Sequence, residues 1–322
     1  GYWSHGEWMH NDLATNLELR GFLTRPELIA AGYVDDDIRT LRSQLRLRTI
    51  GPGLYASAGF LELSAEDQHR LRCHASASRF KGLVAISHQS AALLHGSATW
   101  QQDLSHVHVT RLDTGRGRRQ AGVAHHVATL PLDEVSEVDG LLVTSPARTA
   151  WDLAVASSIE SGLVTVDSLM NLGLVHESEF SEFVSRYSNW RGARRAKITL
   201  SLSSEHAESP GESRTRFLFR QAGIPRPTLQ YRVTDEFGRL IGITDFAWPE
   251  FRLLGEFDGM VKYRGTEDLG KEKVREDRLR ARGWGMIRLV WADLSPANQH
   301  STTVRVQEAM RHSARVHANF TI

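Results

Sequence analysis

Three carboxylates and two lysines in the last third of this 322-residue chain are spaced so that they could do chemistry together. Glu212 opens a helical pattern at 212–221. Asp245 lies in a strand-like run, 240–247, and Glu256 in a second, 251–258, with Pro249-Glu250 as the turn between them. Alternate residues of a strand share a face. Glu256 and Asp258 therefore point one way with Arg252 and Leu254, while Phe251, Leu253 and Phe257 point the other, and the hairpin can bring Asp245 beside the two acids. Ile241 and Ile243 are expected to pack inward. Carboxylates meeting from a helix and two adjacent strands can hold one or two divalent cations, Mg2+ or Mn2+, which polarise a phosphodiester and activate water. A nearby cation would stabilise the charge that develops on the phosphate. Lys262, on the exit from the second strand, and Lys273, on a strongly charged helix at 268–282, are the candidates. Asp258 is either a second metal ligand or a structural carboxylate paired with an arginine.

A second set of residues could read nucleic acid. Residues 11–20 form a short helix closed by Gly21. Thr24 and Glu27 have capping-box spacing, and the helix they start ends at Gly32. The next helix, 35–45, places Val34, Ile38, Leu41 and Leu45 on an apolar stripe and Arg39, Arg42 and Arg46 on another face. Asp35, Asp36 and Asp37 sit at its N-terminus, where the helix dipole favours negative charge. Residues 47–56 read as a hairpin carrying Arg48. Helix, turn, helix and wing together form a DNA-reading arrangement, with an arginine-faced helix for the major groove and a wing for phosphate. The same arginines would also suit a plain solvated helix face.

The rest of the chain narrows the class. A net charge of +1 excludes a polycation, so any binding to nucleic acid rests on local patches. One such patch is the basic loop with Arg111, Arg116, Arg118 and Arg119. A single cysteine, Cys73, excludes an internal disulfide framework and a cysteine zinc site, and fits a reducing compartment. No apolar run approaches the ~20 residues of a membrane span. The opening residues lack the pattern of a secretory signal, and native sequence is expected to begin near Met9. A cytoplasmic, nucleoid-associated location is expected. His106/His108 and His125/His126 suggest metal ligation, but no carboxylate or cysteine at suitable spacing completes a site, and ordinary surface histidines are expected. Ser145 and Pro146 start a helix on which Arg148 and Asp152 form an i, i+4 pair.

Two family resemblances follow from these motifs. The helix–turn–helix–wing order resembles the N-terminal winged helix of AbiEi-type antitoxins, autorepressors of type IV toxin–antitoxin operons. The resemblance continues through Ser87-His88-Gln89-Ser90-Ala91-Ala92-Leu93-Leu94-His95-Gly96, His106–Thr110 and Val143–Leu153, a region that the resemblance implies is structural and interaction-related. Residues 209–294 resemble the very-short-patch repair endonucleases of the PD-(D/E)XK nuclease superfamily. The carriers are Ser209–Ser213, Thr244-Asp245-Phe246, Gly255–Gly259, Lys273–Arg278, Gly283-Trp284 and Val290-Trp291. The resemblance implies Asp245 as central metal ligand, Glu212 as the helical acid and Glu256 as the strand acid. Asp258 stands where the superfamily has lysine, so Lys262 or Lys273 must enter the site or the nuclease is impaired.

The expected protein is thus α/β and multidomain: a winged helix-turn-helix (10–60), a mixed α+β AbiEi-like domain (61–200), a linker (201–211) and a restriction-endonuclease-like α/β/α domain (212–322). The expected activity is metal-dependent DNA cleavage, with an AbiEi-like repressor carrying an inactive nuclease fold as the alternative. DNA, a second copy of the chain and a toxin are the expected partners.

Overall fold

A computed structural model describes residues 9, 11–80, 84–112, 117–259 and 266–320. The chain divides into two units, Gly1–Ser157 with Glu179–Arg191, and Ser158–Ser178 with Gly192–Ile322. The described residues form α-helices and three sheets, an α/β protein of more than one domain.

The first unit begins with α1 (Asn11–Arg20), β1 (Phe22–Thr24), α2 (Arg25–Ala30), α3 (Asp35–Ser43), β2 (Leu47–Gly51) and β3 (Leu54–Ser57). Gly21 ends α1 with a left-handed backbone (φ +76°), and a Cβ there would lie 2.8 Å from Leu71. Thr24 and Glu27 form the expected reciprocal cap: the Thr24 N–H donates to the Glu27 carboxylate at 2.8 Å. The strands pair antiparallel in the order β1-β3-β2. Leu13, Leu17, Leu23, Leu28, Ile38, Leu41 and Leu47 form their core.

Helix α3 is shorter than its periodicity suggests. Asp37 accepts the N–H of Val34, so the helix starts after Val34, which is 58% exposed. Leu45 takes a left-handed turn (φ +60°) that sends the chain into β2, and it too is exposed. The buried stripe therefore reduces to Ile38 and Leu41.

Beyond α4 (Ala65–Ala77), the unit builds a six-stranded mixed sheet from β4 (Val84–Ile86), β5 (Val107–Arg111), β6 (Arg118–Gln120), β7 (Val123–His126), β8 (Val135–Val138) and β9 (Leu141–Thr144). Their order is β6-β7-β5-β4-β9-β8, with β5·β7 and β4·β9 parallel. Helices α5 (His88–Leu94) and α6 (Pro146–Ala156) complete it. The Arg148–Asp152 pair forms as expected, but inside the protein. Arg148 is 1% exposed; its Nε donates to Asp152 Oδ1 at 2.8 Å and its Nη1 to Glu134, which also accepts from the Tyr187 hydroxyl and Arg186, each at 2.6 Å.

The second unit holds α7 (Ile159–Asn171), α9 (Ala193–Leu202), α10 (Pro210–Gln221), α11 (Thr266–Ala281) and α12 (Gln299–Phe320); α8 (Glu177–Arg186) precedes α9 in the chain. Its sheet runs β10 (Thr228–Thr234), β11 (Leu240–Trp248), β12 (Leu253–Asp258) and β13 (Gly285–Val290), in that order, antiparallel except for β12·β13. Strand alternation divides the side chains between two cores. Phe246, Trp248, Leu253, Ile287 and Leu289 pack with Phe219 of α10 and Val306 and Met310 of α12. Ile241, Ala247 and Leu254 face the other way, onto Leu279 of α11. Ile241 packs inward as expected; Ile243 does not and is 41% exposed.

The stretch 201–211, expected as a linker, lies inside this unit. The Ser204 N–H and the Arg216 guanidinium both donate to the fully buried Asp167 of α7, at 2.8 and 2.7 Å. Ala207 is buried, and Ser209 caps α10, which starts at Pro210 rather than Glu212. The polar composition of the stretch answers a buried carboxylate rather than solvent.

Candidate functional site

Two of the acids singled out in the sequence come to one face of the second unit's sheet. Asp245 and Glu256 stand on adjacent strands, on the face covered by α11. They line a cleft of about 230 Å3 with Ile243, Phe257, Asp258, Glu272, Arg275 and Arg288. Asp245 Oδ2 accepts the Phe257 N–H at 2.7 Å. Burial pushes the Asp245 carboxyl above its usual range, and that N–H opposes the shift. Glu212, on the first turn of α10, accepts from the Glu208 N–H and the Ser209 hydroxyl. Burial raises it to about 7, with the nearby negative charge of Asp245 adding to the rise.

Glu256 is already answered. Arg275 of α11 donates to its carboxylate, and Arg288, its register partner on β13, lies 3.7 Å from it. Both arginines also reach Glu272, at 2.9 and 2.7 Å. Lys273, the helix cation expected here, is exposed. Two residues further along a helix is more than half a turn, and it is Arg275 that enters. Lys262 lies outside the described residues. Asp258 is exposed at the end of β12 and has no role in the arginine cluster. Oxygen donors of this kind suit Mg2+ or Mn2+, but here the Glu256 oxygens are held by two guanidiniums. Among the described residues the acids form no triplet with ligand oxygens within 4.8 Å of one another. In this arrangement a divalent cation at Glu256 would compete with Arg275 and Arg288. The sequence signal for Arg275 is its place on the charged helix, where arginine serves as the cation as well as lysine does.

The N-terminal arginines separate into two pairs. Arg39 and Arg42 project from α3 and are exposed; Arg39 is 2.9 Å from Asp36 one turn earlier. Arg46 falls beyond the helix, after the Leu45 turn, so it does not extend the same face. Arg48, on β2, is half-buried, and its Nε is enclosed without a hydrogen-bond partner.

The histidines depart most from expectation. Strand β5 starts at Val107, leaving His106 outside it and half-buried, while His108 and His125 are buried. His108, His126 and His88 of α5 form the one group of three His, Cys, Asp or Glu side chains, among the described residues, with ligand atoms all within 4.8 Å of one another. His108 Nδ1 lies 2.9 Å from His126 Nε2, and the His88 and His126 rings stack at 3.8 Å. His88 sits at the start of α5 with φ +55°, a left-handed backbone that costs a residue with a side chain about 1–2 kcal/mol. Burial holds all three imidazoles down at about 3. Sequence reasoning paired the neighbours on each strand; the partners are instead contributed by parallel β5 and β7 and by the helix after β4.

No helix among the described residues is long and apolar enough to cross a membrane. Residues 83–202 match the AbiEi antitoxin C-terminal domain. Two uncharacterized proteins of Mycobacterium tuberculosis, MT2308 of strain CDC 1551 and Rv2248 of strain H37Rv, are each 30% identical over 206 residues, spanning 64% of this chain and 73% of theirs. The crystal structure of the RV2827C protein from Mycobacterium tuberculosis aligns with 65% of this chain and 80% of its own at 15% identity, with a TM-score of 0.41. With 30% identity to MT2308 and Rv2248 over 73% of their length, the chain belongs to the family of these two uncharacterized mycobacterial proteins, with an AbiEi antitoxin C-terminal domain at 83–202.

Proposed function

We propose that this protein is an AbiEi-like DNA-binding regulator, a repressor or antitoxin, whose first six elements are a winged helix and whose partner is a toxin. One observation carries the reading. The AbiEi-type domain is preceded in the chain by an α-β-α-α-β-β module that exposes Arg39 and Arg42 on its third helix. In such a module, that helix reads the major groove and the hairpin of β2 and β3 touches the backbone. The C-terminal unit, with Arg275 and Arg288 on Glu256, serves this reading as a restriction-type fold that holds DNA without cutting it.

The test is duplex binding by fluorescence anisotropy across a salt series. Arg39→Ala with Arg42→Ala is expected to weaken binding and to flatten the salt dependence by about one unit for each phosphate no longer neutralised. Unchanged affinity and slope would remove the reader role from α3.

A second reading, metal-dependent DNA cleavage with Asp245, Glu212 and Glu256 at its centre, is favoured by the meeting of the acids beside an open cleft. Plasmid DNA with Mg2+ or Mn2+ distinguishes the two. Nicking by the wild type that disappears in Asp245→Ala supports the enzyme; binding without nicking supports the regulator.

A further inference from the structure

We propose that His88, His108 and His126 form a binding site for a borderline transition-metal cation, zinc(II) being the natural occupant. Three elements distant in the chain bring these rings together: the start of α5, the strand β5 and the end of β7. All three ligand atoms lie within 4.8 Å of one another, and the closest pair is 2.9 Å apart. A tetrahedral zinc bound to imidazole nitrogens spaces them by about 3.3 Å, so small ring rotations admit the ion. Imidazoles select zinc and its neighbours over magnesium or calcium, which prefer oxygen.

Two further observations support a site. Ser87 Oγ, 3.0 Å from His88 Nδ1, orients that ring and leaves its Nε2 for the cation. Asp152 Oδ2 is buried without a hydrogen-bond partner, and its charge acts on His126. An orphaned carboxylate oxygen near His126 supplies negative charge that a bound dication needs. Arg148, the positive group facing His88, is itself answered by Asp152 and Glu134.

In the cation-free arrangement, the Gln89 amide nitrogen donates to Asp103 O and to His108 Nε2, each at 2.9 Å. The His108 proton then sits on Nδ1, pointing at His126. A cation takes the place of that proton. His108 moves its hydrogen to Nε2, and Gln89 turns its carbonyl oxygen to accept it, the kind of outer contact that ligating histidines usually make. Three protein ligands leave the fourth position for water or a small anion.

The experiment uses the full chain, stripped with chelator and titrated with cobalt(II), which reports tetrahedral nitrogen ligation in its visible absorption. The expected result is one cobalt per chain, displaced by zinc(II) and insensitive to a large excess of Mg2+. His88→Gln and His126→Gln are each expected to lower affinity by about 100-fold or more, while His106→Gln leaves it unchanged. If a variant does not fold by circular dichroism, cobalt-edge X-ray absorption on the wild type counts the imidazole ligands directly. No uptake by the wild type, uptake unaltered in folded His88→Gln and His126→Gln, or an all-oxygen ligand shell would overturn the site.

Discussion

The histidine cluster of the first unit and the carboxylate cluster of the second differ in how their charge is answered. The acids carry their cations with them: Arg275 and Arg288 stand on Glu256, and a backbone N–H stands on Asp245. The histidines carry none, because burial has removed their charge instead. A metal ion at Glu256 would compete with a guanidinium; one at the histidine cluster would take the place of the His108–His126 hydrogen bond.

The contrast can be broken most severely at Arg148. Replacing this buried guanidinium by Met leaves Glu134 and Asp152 enclosed without it, and should cost about 3–5 kcal/mol, read from urea unfolding. A loss below about 1 kcal/mol would mean the network beside the histidines is not held by charge. Gly211→Ala attacks the acidic side: its Cβ would fall 1.9 Å from a ring carbon of Phe257, whose N–H holds Asp245. Overpacking of this kind costs about 1–3 kcal/mol, and hydrogen exchange should quicken in α10 and β12.

Arg275→Ala sharpens the comparison. Its side chain is 22% exposed, and losing a partly solvated pair should change stability by no more than about 1 kcal/mol. Mn2+ binding to the cleft, read by calorimetry, is expected to be tighter in the variant than in the wild type. Equal binding by the two would show that the arginine does not compete with the cation.

The effects of pH have opposite signs in the two units. A histidine lowered to about 3 from an ordinary value of 6.5 is neutral when folded and protonates first when unfolded. The unfolded state then binds more protons between these values, so the first unit loses stability as pH falls below 6.5. Glu212, raised from 4.5 to about 7, binds its proton more tightly when folded. Its contribution is present at low pH and is lost as pH rises through 7. Hydrogen exchange at pH 5 and pH 7.5 should therefore show β5 and β7 better protected at the higher pH. Glu212→Gln should flatten the dependence in α10, and identical profiles for wild type and variant would remove this account.

Local physics was readable in the sequence. The cap at Thr24, the stop at Gly21, the alternation along β12 and the Arg148–Asp152 pair follow from neighbours a few residues apart. Sites built from distant elements were read by residue type alone. That sufficed to bring Asp245 and Glu256 to one cleft. It failed for Arg275, since the facing of α11 depends on packing of Leu279, and for His88, which lies one helix and two strands away from its partners. The extended helix at 35–45 and the linker at 201–211 failed for a related reason. Periodicity does not report a left-handed turn at Leu45, and polarity does not report a buried Asp167 waiting for donors.

The path of the chain between the two units has a consequence for dissecting the protein. Passing from one unit to the other at 157/158, 178/179 and 191/192, it leaves α7 and α9 on the C-terminal side although both belong to the matched stretch 83–202. A fragment ending at residue 202 would strip α7 of α10 and leave Asp167 without Arg216. Shortened versions of the gene ending there should therefore yield insoluble or protease-sensitive products.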